Sequence, residues 1–160
     1  MEIIIDNKNI KNFVSITFPE VTIITWTADF LEKSVINNFP NLRVLDCCCR
    51  NITSLESLAN CRNLEILCCA ENKITSLVPL VNCPNLRILK CGHNQITDIE
   101  PLAKCTNLEK LFCQYNQIFS LEPLSCCLNL KVLYCSYNKV LSLDPLTKCT
   151  KLNILYHSNN

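Results

Sequence analysis

The sequence predicts an α/β solenoid: about eight short parallel strands stacked along one side, with short 3-10 turns along the other. Three observations predict it. Apolar positions recur with a strict 22-residue period over residues 41–160, and a fixed period of that length marks stacked repeats rather than a layered globule. Each period holds a Leu-x-Cys segment whose first and third side chains share one face, the pattern of a short strand. Later in the full periods from the second onward comes a proline, at Pro79, Pro101, Pro123 and Pro145. Proline suits the first position of a helical turn, where no N–H is needed. A 22-residue unit leaves little room for a full α-helix, so the turns should be 3-10-like.

The columns read as follows. Leu42, Leu64, Leu86, Leu108, Leu130 and Leu152 open the units, and Leu45, Leu67, Leu89, Leu111, Leu133 and Leu155 follow three residues on. Cys47, Cys69, Cys91, Cys113 and Cys135 come next, with His157 in the last unit. Asn72, Asn94, Asn116 and Asn138 follow, with Arg50 interrupting the column and Asn160 closing it. An amide side chain there can donate and accept where the chain leaves the strand, satisfying backbone groups the turn leaves unpaired. A second cysteine column, Cys61, Cys83, Cys105, Cys127 and Cys149, ends the unit, which reads LxxLxCxxNxIxxLxPLxxCxN. Strands are expected near residues 2–5, 23–26, 44–47, 66–69, 88–91, 110–113, 132–135 and 154–157. One repeat cannot bury its own apolar face, so the units must stack into one continuous domain, with strands on the concave side. Residues 1–40 form irregular N-terminal repeats, with Val21, Ile24 and Trp26 in core places. Within them, Asp29 and Glu32 read as a capping box, and Leu31, Val35 and Phe39 share a helical face, so a short helix is expected near 29–39. Residues 41–160 are the regular array, its last unit incomplete.

These motifs resemble the leucine-rich repeat family in its 22-residue class, which includes bacterial internalins and a regulatory subunit of protein phosphatase 1. The resemblance implies a right-handed solenoid with a concave strand face. The Asn-, Ile- and Cys-rich composition is also similar to leucine-rich repeat proteins of giant DNA viruses. By resemblance alone, a regulatory or adaptor subunit of a phosphatase or ubiquitin ligase is one functional alternative.

Composition narrows the function. With 160 residues and a formal net charge of +1, the chain carries no basic run to serve nucleic acid or an anionic membrane. A single glycine excludes the Gly-rich phosphate loops. No apolar stretch reaches the length of a membrane span, and the opening MEIIIDNKN lacks the basic start of a secretory signal. Fourteen cysteines would fit a disulfide scaffold, yet without a signal the expected location is intracellular and reducing: cytoplasm, or host cytoplasm if the chain is viral. Ten of them fall in the two interior columns and read as small apolar side chains. Side chains on neighbouring parallel strands point the same way, which keeps Cβ atoms too far apart to bridge, and each column holds an odd number. Free thiols are therefore expected.

No nucleophile elbow or paired-carboxylate motif is present, so the expectation is a non-catalytic module with no cofactor. Two outward columns define its candidate surface. One runs Asp46, Cys68, Lys90, Phe112, Tyr134, Tyr156, and the other Cys49, Glu71, His93, Tyr115, Tyr137, Asn159. Core packing does not demand aromatics at outward positions, and tyrosine is enriched in protein interfaces. Phe112, Tyr115, Tyr134, Tyr137 and Tyr156, rimmed by Lys90, Glu109, Lys110 and Lys131, are the expected protein-binding patch. The alternative from another class is a metal- or redox-responsive thiol protein built on Cys48, Cys49 and Cys68, with Cys49, Glu71 and His93 as a metal-competent column that matches no closed zinc spacing. An uncapped end, with Leu152 and Leu155 in its outermost layer, adds the expectation of a homodimer through that end, or else of a chain that is a fragment of a longer array.

Overall fold

The computed structural model describes residues 1–13, 16–28, 31 and 33–160, the side chain of Lys33 excepted. Eight parallel strands form one sheet in sequence order. They are β1 (Glu2–Ile5), β2 (Ile23–Trp26), β3 (Val44–Asp46), β4 (Ile66–Cys68), β5 (Ile88–Lys90), β6 (Lys110–Phe112), β7 (Val132–Tyr134) and β8 (Ile154–Tyr156). The registers Ile23↔Val44 and Val44↔Ile66 show the change from a 21-residue to a 22-residue step. Five-residue 3-10 turns at 78–82, 100–104, 122–126 and 144–148 face the strands across the core, each with proline at its second residue. Among the described residues, no helix is long and apolar enough to cross a membrane. A short α-helix, α1 (Lys33–Ile36), lies in the N-terminal region; Val35 and Phe39 are buried, and Phe39 packs against Phe13 and Phe18. The proposed capping pair, Asp29 and Glu32, lies outside the described residues.

From β3 onward each strand ends one residue before the position the spacing implies, because of the asparagine column. The Cys47 N–H still donates to the Cys68 carbonyl (2.8 Å), but the Cys47 carbonyl accepts from Asn72 Nδ2 (3.0 Å) instead of from a neighbouring strand. Asn72 Nδ2 also donates to the carbonyls of Cys69 and Ala70, and its Oδ1 accepts from the N–H groups of Arg50 and Ile52. Asn94, Asn116 and Asn138 repeat this web. Where Arg50 interrupts the column, its Nε donates to the Trp26 carbonyl (3.4 Å), a thinner substitute.

The core is one column of leucine and cysteine. Leu45, Leu67, Leu89 and Leu111, and Cys47, Cys69, Cys91 and Cys113, are all 0 % exposed. All fourteen cysteines are free thiols. The turn column does more than fill space. Cys105 Sγ donates to the Leu80 carbonyl (3.5 Å), Cys127 to Leu102 (3.5 Å) and Cys149 to Leu124 (3.3 Å). Each carbonyl already accepts the N–H three residues on, and the thiol adds a second donor that leucine could not supply. The turns are also entered through a short side-chain bond: Ser76, Asp98, Ser120 and Ser142 each accept the N–H two residues on. Such local turns are what serine and aspartate favour.

Two outcomes follow. Asn116→Ala leaves several buried backbone groups unpaired and should cost roughly 3 kcal/mol, read as a fall in urea midpoint; an unchanged midpoint would refute the role given to this side chain. The second concerns alkali. Burial pushes the Cys91 thiol up to about 12 and those of Cys47, Cys69 and Cys113 well above their usual range. Unfolded thiols ionise near 8.5, so above that pH the folded state binds more protons and stability falls as pH rises. At pH 10 each such thiol removes roughly 2 kcal/mol, and four together remove much of a domain's usual stability. Urea titrations at pH 7.5 and 10 should show a steep loss, and a flat profile contradicts it.

Candidate functional site

The outward residues of the strands stand in register across the sheet, with Lys90 beside Phe112, Phe112 beside Tyr134, and Tyr134 beside Tyr156. Strand spacing near 4.8 Å brings successive rings into contact. Phe112 and Tyr134 lie 5.0 Å apart between centroids, and Tyr134 and Tyr156 4.5 Å. A second row follows the strands. His93 stacks on Tyr115 at 4.2 Å, and Tyr115 on Tyr137 at 4.3 Å with an interplanar angle of 7°. Tyr115, Tyr137 and Tyr156 remain 43 %, 46 % and 55 % exposed. The five expected aromatics thus share one face, with Lys90 and Lys110 exposed at its edge.

The second row sits on unusual backbone. Cys49, Glu71, His93, Tyr115, Tyr137 and Asn159 all have φ between 54° and 59°. The next repeat enforces it: the N–H of Tyr115 donates to the Ser136 carbonyl (3.0 Å) and that of Tyr137 to Ser158 (2.9 Å). The left-handed region suits Gly or Asn and is uncommon for bulky residues, at a cost on the order of 1 kcal/mol. Ring stacking returns a similar amount, so tyrosine at these positions is close to neutral for the fold.

Between the rows lies a floor of Ala70, Gly92, Gln114 and Ser136. Gly92, the only glycine in the chain, is there for closeness rather than torsion: a Cβ on it would stand 2.7 Å from Gln114 Nε2. Gln114 Oε1 is buried without a hydrogen-bond partner.

On the other side of the strands the structure adds a charged trough that the sequence reading missed. Arg43 pairs with Glu65 at 2.8 Å, and Glu109 holds both Arg87 (2.7 Å) and Lys131 (2.6 Å). Glu109 and Lys131, expected at the rim, are therefore committed to each other. Lys131 and Arg87 hold the Glu109 carboxyl below its usual range, and Arg43 does the same for Glu65. These residues line a cleft of about 400 Å³. Its wall is a second asparagine ladder: Asn85, Asn107 and Asn129 each donate to a carbonyl of the previous repeat. The alternating signs at Arg43, Glu65, Arg87, Glu109 and Lys131 are the sequence signal that could have found the trough. Among the described residues, Lys90 and Lys110 have no ion pair.

The thiol candidates do not converge. Cys49 Sγ lies 3.4 Å from Glu71 Oε2, but His93 is stacked on Tyr115, and among the described residues no three metal-competent side chains come together. Burial, with Asp46 adding, pushes the Cys48 thiol up to about 12. A hydrogen bond to Glu71 raises Cys49, and burial raises Cys68. Thiols so raised are protonated at neutral pH and are poor nucleophiles and ligands.

Comparison with known proteins agrees with this architecture. The family described as "Leucine Rich repeats (2 copies)" matches residues 62–104 and 84–126. Internalin C2 of Listeria monocytogenes superposes with a TM-score of 0.83 at 26 % identity, over 90 % of this chain and 64 % of that one. The functional domain of InlJ from Listeria monocytogenes, described as including a cysteine ladder, gives 0.72 at 27 % identity, over 84 % of this chain and 29 % of that one. A plant peptide hormone receptor, RGFR1 in complex with RGF2, gives 0.74 at 22 % identity, over 87 % of this chain and 24 % of that one, and shows the fold alone. The chain spans less than two thirds of the length of each of these structures. No curated protein matches it. The fold is a leucine-rich repeat solenoid like those of the internalins. Such domains are typically protein-binding modules and generally non-catalytic.

The near-neutral balance of strain and stacking is testable. Tyr115→Asn combined with Tyr137→Asn should shift the melting temperature by less than about 3 °C. A large drop in calorimetry would make the row a structural element instead.

Proposed function

We propose that this solenoid is a non-catalytic interaction module that takes a protein partner on its concave face, over Phe112, Tyr115, Tyr134, Tyr137 and Tyr156 with Lys90 and Lys110 beside them. One observation carries the reading. Two rows of aromatic rings are left exposed at outward positions, and one row stands on backbone that disfavours bulky side chains. Exposed aromatic clusters of this kind mark contact surfaces. A protein of the same fold is described as a plant peptide hormone receptor in complex with RGF2, which fits a binding role for the solenoid without identifying a face or a partner.

The thiol alternative has less support, since the concave cysteines are held protonated and no metal-competent triad forms among the described residues. Fourteen free thiols favour a reducing compartment. A subunit role for a phosphatase or ubiquitin ligase is one form the module could take, with no feature of the face singling it out. Edge pairing of two copies through β8, where Ile154 is 41 % exposed, is a separate contact; a monomer in light scattering rules it out.

Phe112→Ala with Tyr134→Ala should keep the circular dichroism spectrum and reduce partner capture from lysate by about tenfold or more, as loss of aromatic anchors does. Undiminished capture by the folded double variant overturns the proposal.

A further inference from the structure

We infer that the segment this face receives is an extended acidic peptide, laid across β5 to β8 with its apolar side chains along the ring rows and a carboxylate against Lys90 and Lys110. The inference rests on the proposed binding face and adds the chemistry of what it binds.

Charge supplies the first argument. Lys90 and Lys110 stand on the strands that carry the face, while Arg87, Lys131 and Lys151 line the trough beside them together with Glu65 and Glu109. Glu109 is shared by Arg87 and Lys131, and Lys151 Nζ donates to Asn129 Oδ1 at 2.7 Å. That leaves Lys90 and Lys110 exposed, with no ion pair among the described residues. Two unpaired cations on neighbouring strands repel a basic partner and draw an acidic one.

Register supplies direction. Lys90 heads the row Phe112–Tyr134–Tyr156, being the strand partner of Phe112. One strand further back the same columns hold Cys68 and Glu71, and then Asp46 and Cys49. Carboxylates beyond Lys90 would meet Glu71 and Asp46, so the acidic end of a ligand stops at β5 and its apolar remainder runs toward β8. Three strand spacings of about 4.8 Å give roughly 14 Å, the length of four or five extended residues.

Ring geometry separates a peptide from a nucleic acid, which would also suit lysines beside aromatics. Bases need free ring faces. Here the faces of Tyr115 are taken by His93 at 4.2 Å and Tyr137 at 4.3 Å. That stacked row offers edges and hydroxyls, which suit peptide side chains and backbone.

The test is a selection of a short random-peptide library on the purified chain, on Lys90→Glu/Lys110→Glu and on Phe112→Ala/Tyr134→Ala. All three are first shown folded by circular dichroism. The chain should enrich peptides that combine Asp or Glu with apolar residues. Their binding should fall about tenfold or more on the charge-reversed variant, as like-charge juxtaposition demands, and that variant should select Lys and Arg instead. Enrichment that disappears on the aromatic variant but shows no acidic bias overturns this inference and leaves the binding face standing. Equal enrichment on the chain and the aromatic variant, or none on either, overturns both. A short oligodeoxythymidine that binds more tightly than the selected peptides also overturns the acidic-peptide reading, in favour of nucleic acid.

Discussion

The regular array depends on the asparagine that follows each of the strands β4 to β8. Asn116 shows why: one amide reaches the carbonyls of Cys91 and Cys113 at 3.0 Å each and accepts the N–H of Ile96, tying two successive repeats at the point where the chain turns. A buried group with that many satisfied bonds tolerates little sliding. It therefore fixes the offset of one repeat on the next. That offset decides where the outward side chains stand, and so it sets the distances between the rings.

The same constraint explains the cost carried by the second aromatic row. The residue before that column stands in the left-handed region in every regular repeat, and Cys49, which precedes Arg50, shares it through the bond from its N–H to the Ala70 carbonyl of the next repeat. Residue choice there is then open to whatever the surface requires. Asn159 is the inexpensive occupant, while Tyr115 and Tyr137 give rings stacked at 4.3 Å. The face is also graded. Acidic and thiol groups occupy the strands up to β4, and cations and rings occupy β5 to β8.

Much of this was legible in the sequence because a repeat writes each structural role several times. The strand positions, the interior cysteine columns and the aromatic face follow from columns such as Leu45–Leu67–Leu89 and Phe112–Tyr134–Tyr156, whose side-chain direction is fixed by alternation alone. What the sequence concealed are the roles that depend on reach. The trough of Arg43, Glu65, Arg87, Glu109 and Lys131 needs long side chains to bend toward one another across strands, and spacing does not show rotamers. The thiol bonds of Cys105 and Cys127 to carbonyls one repeat back were hidden because cysteine reads as a small leucine. The fit of Gln114 over Gly92 required knowing that the two residues face each other across adjacent repeats. The strand ends were shifted by a side chain, Asn72, competing with the backbone for the Cys47 carbonyl.

The central claim, that buried asparagine amides clamp the repeats, can be read without mutation. Hydrogen exchange by NMR resolves side-chain Nδ2 protons from backbone amides. The account predicts that the side-chain amides of Asn72, Asn116 and Asn138 exchange about as slowly as the strand N–H groups, since both open only with the repeat itself. Exchange of those side-chain protons at the rate of a free asparagine, while the strands stay protected, would contradict it.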